Sequence, residues 1–407
     1  MQVYLVGGAV RDKLLGITTD EKDWVVVGST AQELLDLGYI QVGKNFPVFL
    51  HPETREEYAL ARTEKNTGPG YGGFQFDFNS SVTLEEDLKR RDLTINAIAE
   101  DANGNLIDPY NGLKDLRQGK LQAVSSSFTE DPVRVLRTAK FAARFHTQGF
   151  DITPDTQKLM WQMVVAGELD HLVPERVWQE TLGALGTGNP QRYFEVLRSC
   201  GALKVVFPEI DRLFGIPQPL KHHPEKDVGI HTMLTLQQAA KLSSKPEVRF
   251  AALLHDLGKG TTKGEILPAH HGHEERSAGL VQKMCLRLKV PDKFKKLAFL
   301  VAKYHGHFGK VVDELRPEKI LEVLRALDAF RRPDRFENFL LACEADQRGR
   351  PGYENKKYLQ TNFFRKAYAK VNAVDVQAVI SAGFKGESIK IELDKRRIAA
   401  IAKLKSE

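Results

Sequence analysis

Residues 3–27 read VYLVGGAVRDKLLGITTDEKDWVVV. Residues 3–6 form a short apolar run that breaks at Gly7-Gly8, residues 9–15 carry helical spacing that stops at Gly16, and residues 24–27 read as a buried β-branched strand. A strand, a glycine turn, a helix and a second strand in so short a stretch open a domain that mixes sheet with helix. Glycine lets main-chain N–H groups come close to a phosphate, and the start of a helix adds positive potential. The turn lacks GxxxxGK[ST] and GxGxxG, so neither a P-loop nor a dinucleotide-binding fold is supported. Arg11 lies three or four residues into the helix and can point back at a triphosphate. Ahead of the second strand, Glu21 and Asp23 share a face, with Lys22 on the other. Carboxylates so spaced can hold Mg²⁺ ions that bridge to substrate phosphates, activate an attacking hydroxyl and neutralise a leaving pyrophosphate. Taken singly, the same residues also read as a tight turn and a solvated acidic turn.

Further along, residues 57–62 alternate like a strand, and residues 66–73, NTGPGYGG, form a glycine-rich loop. Residues 84–99 read as one helix opened by Thr83, with Glu86 completing a capping box. Arg90 and Arg91 lie on that reading about 100° apart around the axis, so one reaches a ligand while the other stays on the surface, and Arg91 is the candidate. Residues 108–112, DPYNG, form a turn. From about residue 128 the pattern is helical. Asp131-Pro132 opens a helix through residue 145, and Arg134 shares a face with Asp131. A carboxylate accepts from the exocyclic amine of cytosine or adenine, and a guanidinium donates to the ring nitrogen or to the cytosine carbonyl. Uracil and guanine present an oxygen where the carboxylate needs a proton. The pair therefore admits C and A without a nucleic-acid template. Arg137 and Lys140 continue the face toward phosphate or ribose.

The chain of 407 residues has 42% hydrophobic and 28% charged residues and a formal charge of +6, which excludes wholesale disorder. No apolar run is long enough to span a membrane, and the first residues do not read as a signal peptide. Cys200, Cys285 and Cys343 are scattered, with no CxxC pair, which suits a reducing cytoplasm. Residues 351–407 hold 12 Lys/Arg against 6 Asp/Glu, and this accounts for the whole net charge. A basic tail on a neutral body offers a place for phosphates, or simply a solubilising face. Nine of the 12 histidines fall between His222 and His307. His231, His255, Asp256 and the later Asp346 are candidate ligands for one divalent ion. His305 and the cluster from His270 to His273 are secondary candidates, for a second ion or for substrate. Imidazoles favour a transition metal over Mg²⁺, and such an ion polarises a phosphoryl oxygen and lowers the pKa of bound water.

In this order, YLVGGAVRDKLLG, DEKDWVVVG, EEYALARTE, DLKRRDLTINAIA, DPYNG, EDPVRVLRTAKFAARF, PERVW, HDLGKG and CEADQRGR resemble the bacterial CCA-adding enzymes, the class II tRNA nucleotidyltransferases. More closely the chain resembles the multifunctional form that carries an HD domain of the phosphohydrolase superfamily. The resemblance implies an α+β fold with a nucleotidyltransferase head and small mixed sheet over residues 1–127. A largely all-α remainder follows: a body with the base-selecting helix (128–227), an HD domain (228–329) and a basic, tRNA-binding tail (330–407). It implies addition of C, C and A to the 3′ end of tRNA from CTP and ATP. The HD domain would add phosphatase, 2′-nucleotidase and 2′,3′-cyclic phosphodiesterase activities. Nucleotide contacts fall on Gly8, Arg11, Arg91 and Arg137, Mg²⁺ ligands on Glu21 and Asp23, and base readers on Asp131 and Arg134. The HD site would take a transition metal such as Ni²⁺, and the chain would act as a monomer or homodimer, away from membranes. Two positions depart from the family: Glu21 stands where Asp is common, and Lys140 replaces an arginine, keeping the charge but losing the bidentate fork. A poly(A) polymerase, an HD phosphohydrolase with a degenerate head and a non-catalytic tRNA-binding module are the competing readings.

Overall fold

The computed structural model describes residues 1–20, 22–42, 48–66, 74–77, 80–220 and 224–406. It divides into two compact units: Met1–Ala184 with Arg192–Val206, and Leu185–Gln191 with Phe207–Glu407.

The first unit is built on the opening strands. β1 (Gln2–Val6) pairs antiparallel with β2 (Asp23–Val27), in a register that sets Val6 opposite Asp23. β3 (Ile40–Val42), β4 (Val48–Leu50) and β5 (Glu57–Leu60) extend one side, with β5 parallel to β2 and the other pairs antiparallel. β6 (Thr63–Asn66) and β7 (Phe74–Asp77) make a separate two-stranded ribbon. β8 (Ala99–Glu100) and β9 (Leu106–Ile107) complete the order β3-β4-β5-β2-β1-β8-β9. The main sheet is mixed and most of the other described residues are helical, so the α+β expectation holds. Alternation splits β2 between two cores. Val25 joins Val6, Leu84 and Leu88 on one face, and Val26 joins Leu34, Phe49 and Leu60 on the other. Asp23 has the parity of Val25, so it turns toward the helix that starts at Leu84.

That helix differs from the sequence expectation. Thr83 and Glu86 form the capping box, but the helix covers only Leu84–Lys89. Leu93 is extended, Thr94–Asn96 is a single 3₁₀ turn, and β8 begins at Ala99. Leu93, Ile95, Ala97, Ile98 and Ala99 are all fully buried, which no single helix face can achieve. The Asp92 carboxylate takes the Leu93 N–H at 2.9 Å and the Asn96 amide at 2.9 Å, and so competes with helical pairing. Thr94 instead donates its N–H to the Gln122 carbonyl at 2.8 Å. The turn at 108–111 forms as expected, with Asp108 accepting from Gly112 and Leu113 at 2.7 and 2.9 Å.

The second unit packs the helices Val228–Leu242, Pro246–Leu254, His273–Arg287, Asp292–Lys310 and Pro333–Arg348 around fully buried Phe250, Phe308, Phe336 and Phe339. The tail helices Leu359–Asn372, Val376–Ser381 and Glu387–Ser406 join it, with Phe364 stacked on Phe308. Cys200, Cys285 and Cys343 are buried and unbridged. Among the described residues no helix is long and apolar enough to cross a membrane.

The helix Gly112–Arg117 rests on the 3₁₀ turn so closely that a Cβ on Gly112 would lie 2.2 Å from the Thr94 carbonyl oxygen and 2.8 Å from Ile98 Cγ1. Gly112→Ala is expected to destabilise the first unit by about 2 kcal/mol, read as a lower urea midpoint at unchanged m-value.

Candidate functional site

In the first unit a cavity of about 450 Å³ opens where β1 hands over to the helix Gly8–Leu14. Gly8, Arg11, Asp23, Arg91, Asp131, Arg134, Arg137 and Lys140 all lie on its wall. Glu21, most of the glycine-rich loop (67–73) and His222 fall outside the described residues. Eight arginines and Lys140 face only three aspartates across the cavity.

The turn that starts the wall depends on Gly7. Its φ is +69°, and a Cβ there would sit 2.8 Å from Arg91 Nη1. Arg11 is 3% exposed; its Nε donates to Asp12 Oδ1 at 2.8 Å and its Nη1 to Asn96 Oδ1 at 2.5 Å. Burial lowers the Arg11 pKa, and Asp12 partly restores it. Arg144 grips the other Asp12 oxygen at 2.8 Å. Asp87 is fully buried and takes Arg90 at 2.7 Å and Arg91 at 3.2 Å. Here the expectation that only Arg91 faces the ligand is corrected. The helix ends at Lys89, Arg90 is its C-cap, and both guanidinium groups line the cavity.

Asp92 is 5% exposed and accepts from Arg137 Nε at 2.7 Å and from Asn96. Burial pushes its carboxyl up, but Arg137, Asn96 and Arg134 outweigh this and hold it well below the usual carboxylate range. Asp92 in turn raises the Arg137 pKa. Lys140 pairs with Glu180 at 2.6 Å. Asp131 precedes the helix Val133–Arg144, whose N-cap is Pro132, yet Asp131 Oδ1 still accepts the Val133 N–H at 3.0 Å. Both Asp131 oxygens are also held by Arg176, at 3.1 and 2.7 Å. Arg134 is buried and donates through Nη1 to the Ser127 carbonyl. Arg176 was not singled out from the sequence beyond its place in PERVW, because 45 residues separate it from Asp131. A hard cation with oxygen ligands fits Asp23, which is exposed on this wall beside the glycine turn.

The second unit holds a cavity of about 670 Å³ with its own polar floor. His231 lies on Val228–Leu242, Asp346 on Pro333–Arg348, and His255-Asp256 at the end of Pro246–Leu254. His231 Nε2 is 3.0 Å and His255 Nε2 3.6 Å from Asp346 Oδ1, and His255 Nε2 is 3.1 Å from Asp256 Oδ2. The four sequence candidates therefore converge. Burial raises both aspartates, but His255 and Lys259 beside Asp256, and His231, His255 and Arg350 beside Asp346, hold both carboxyls far below the usual range. Lys259 Nζ lies 2.6 Å from Asp256 Oδ2. Ring orientation is fixed from behind: His231 Nδ1 lies 2.9 Å from Glu225, and His255 Nδ1 donates to the Ala252 carbonyl at 2.7 Å, so both Nε2 atoms face inward. His255 Nε2 and Asp256 Oδ1 are buried without a hydrogen-bond partner. Orphaned donor atoms of this kind, with two imidazoles and two carboxylates, fit a divalent transition ion. Of the secondary candidates, His273 and His305 reach the cluster, whereas His270 turns to Thr262 and the Pro217 carbonyl.

The depressed Asp92 carboxyl carries a stability signature. Its contribution is complete above its unfolded pKa near 4 and is lost as pH falls toward the folded value. Urea unfolding at pH 6 and pH 3 should therefore show Asp92→Asn weaker than wild type by about 3 kcal/mol at pH 6, with the close Asp92–Arg137 ion pair gone, and losing less on acidification.

The chain matches the family described as Poly A polymerase head domain over residues 3–122. Residues 149–214 match the probable RNA and SrmB-binding site of polymerase A, and residues 228–332 match the HD domain. A solved CCA-adding enzyme in its apo form shares the fold with a TM-score of 0.67 at 21% identity, covering 99% of this chain and 88% of that one. A CCA-adding enzyme in complex with CTP aligns with a TM-score of 0.65 at 22% identity, covering 100% and 88%. The Thermotoga maritima CCA-adding enzyme complexed with tRNA aligns with 0.62 at 21%, covering 100% and 88%. At those identities the likeness is one of fold. The Multifunctional CCA protein of Nitrosococcus oceani is 58% identical over 401 residues, 98% of each chain. The Multifunctional CCA protein of Thioalkalivibrio sulfidiphilus is 58% identical over 407 residues, all of this chain and 99% of that one. With that identity held from end to end, the chain belongs to the family of multifunctional CCA proteins, enzymes that join a nucleotidyltransferase head to an HD domain.

Proposed function

We propose that this enzyme adds C, C and A to the 3′ end of tRNA, taking CTP and ATP as substrates and no nucleic-acid template. The observation that carries the reading is the meeting of Asp23, the Gly7 turn, the arginine wall and the Asp131–Arg134 segment in one cavity. Glu21 and Asp23 would hold Mg²⁺, which activates the attacking 3′ hydroxyl and neutralises the departing pyrophosphate. Arg11, Arg91 and Arg137 bind the triphosphate, and the start of the first helix supplies N–H donors beside it. Asp131 accepts the exocyclic amine of C or A, and Arg134 donates to the ring. Arg176 orients Asp131 by its two-pronged grip. Residues 1–127 serve as head, 128–227 as body, 228–329 as HD domain and 330–407 as a basic tail that holds tRNA by its phosphates in the cytoplasm. Binding to tRNA should weaken as salt rises.

In the second unit, His231, His255, Asp256 and Asp346 would hold a transition metal such as Ni²⁺, which supplies an electrophile for a phosphoryl oxygen. Phosphomonoesters, 2′-nucleotides and 2′,3′-cyclic phosphates are the substrates proposed for this site, which suits repair of a damaged RNA 3′ end.

Incubation of tRNA lacking its CCA end with labelled CTP and ATP tests the first reading. Wild type should incorporate both CMP and AMP, and Asp23→Ala should fall by about a thousandfold or more, the scale of a lost metal clamp. AMP incorporation without CMP would mark a poly(A) polymerase instead. Asp131→Ala should narrow the preference for CTP over UTP by at least about tenfold, the worth of a lost hydrogen bond to a charged group. His255→Ala should abolish hydrolysis of 2′,3′-cyclic phosphate while incorporation persists; loss of both would overturn the assignment of two separate sites.

A further inference from the structure

We propose that the cavity of the second unit carries a nucleotide subsite, in which Arg350 holds the phosphate of the substrate and the bare main chain at Gly309 takes the nucleoside. The proposal rests on the reading of that cavity as a phosphohydrolase site. It names the residues by which the site would prefer a terminal nucleotide to a smaller phosphate ester.

Two features of the cavity wall find no reason inside the protein. The first is Arg350, four residues after Asp346. Its side chain is 19% exposed. Nη2 lies 3.9 Å from Asp346 Oδ1, too far for a hydrogen bond, and Nε is buried with no hydrogen-bond partner. Lys259, by contrast, is already held by Asp256 at 2.6 Å and by Gln218 at 2.8 Å. A buried guanidinium with an unmade hydrogen bond is costly, and phosphate is the anion whose oxygens match its fork. Asp256, 1% exposed, borders the same cavity and has an Oδ1 that is likewise without a partner. The guanidinium thus stands beside the carboxylates of the cluster, within reach of a phosphate bound there.

The second feature is the face of Asp292–Lys310 that borders the cavity, where His305 is followed by Gly306 and Gly309. Glycine weakens a helix relative to alanine, so each needs a cause. Gly306 has one inside the protein: a Cβ there would lie 2.8 Å from Glu274 Oε1. Gly309 has none. Beyond its own helix a Cβ would meet only Gln347 Nε2, at an ordinary 3.8 Å, and the residue keeps a helical φ. Neither crowding nor a left-handed cap therefore calls for glycine. The missing side chain leaves open space over bare main chain on the cavity wall. A ribose or a heterocycle packs on such a surface, whereas inorganic phosphate has no use for it. Gln347 Nε2 also donates to Asp346 Oδ2 at 3.3 Å, so the space at Gly309 is one side chain away from Asp346. At about 670 Å³ the cavity has room for a whole nucleotide. Lys310, the next residue, is exposed on the wall and is placed to meet a further phosphate of an RNA strand.

The test is calorimetric titration of the intact, nickel-loaded chain with two ligands, inorganic phosphate and 2′-AMP. Binding at the head is common to wild type and variants and cancels in the comparison. Arg350→Gln should weaken both ligands by about tenfold or more, the worth of a hydrogen bond between charged groups. Gly309→Leu should weaken 2′-AMP by about tenfold or more and leave phosphate within about twofold, because leucine fills the place of the nucleoside alone. Leucine favours a helix, so circular dichroism and bound nickel should stay as in wild type. Unchanged affinity of Gly309→Leu for 2′-AMP, or an equal loss of both ligands, would overturn the place of the nucleoside. Unchanged phosphate binding by Arg350→Gln would overturn the role of Arg350. Should nickel-loaded wild type bind neither ligand, the phosphohydrolase reading itself falls.

Discussion

Eight guanidinium groups around one cavity repel one another, and the first unit is organised by the carboxylates that hold six of them in place. Asp12 takes Arg11 and Arg144, Asp87 takes Arg90 and Arg91, Asp92 takes Arg137, and Asp131 takes Arg176. Three of these acids are at most 5% exposed, so none tolerates loss of its partner. The pairs also tie separate pieces of chain together: Asp12 links the first helix to Arg144, and Asp92 links the segment after Lys89 to the helix Val133–Arg144. A triphosphate entering the cavity meets cations whose positions are already set, which reduces the reorganisation needed on binding.

The second unit solves the opposite problem. Its polar floor is rich in imidazole and carboxylate lone pairs, and five helices bring them together. Lys259 balances part of the charge on Asp256, and Arg350 lies 3.9 Å from Asp346. The head therefore suits a polyanion with hard cations, whereas this cluster suits softer ions held by nitrogen.

Much of this was legible in the sequence where chemistry follows from local spacing. The strand–glycine–strand opening, the capping box at Thr83, the turn at Asp108 and the His255-Asp256 pair all appear where their patterns place them. The helix assigned to 84–99 misled because Leu84 and Leu88 after a genuine capping box set a helical start, whereas Leu93, Ile95 and Ala97 alternate with polar residues, a spacing that is not helical. Arg176 was hidden because a partner 45 residues away leaves no mark in local spacing. The histidine count announced a cluster, but which rings meet depends on how Asp292–Lys310 packs beside His273–Arg287, and that is a tertiary fact.

His255, His273 and His305 each donate Nδ1 to a main-chain carbonyl three or four residues earlier. Their aim is thus a property of backbone curvature. A proline or glycine one turn upstream of any of them would misdirect the imidazole even with the histidine itself unchanged.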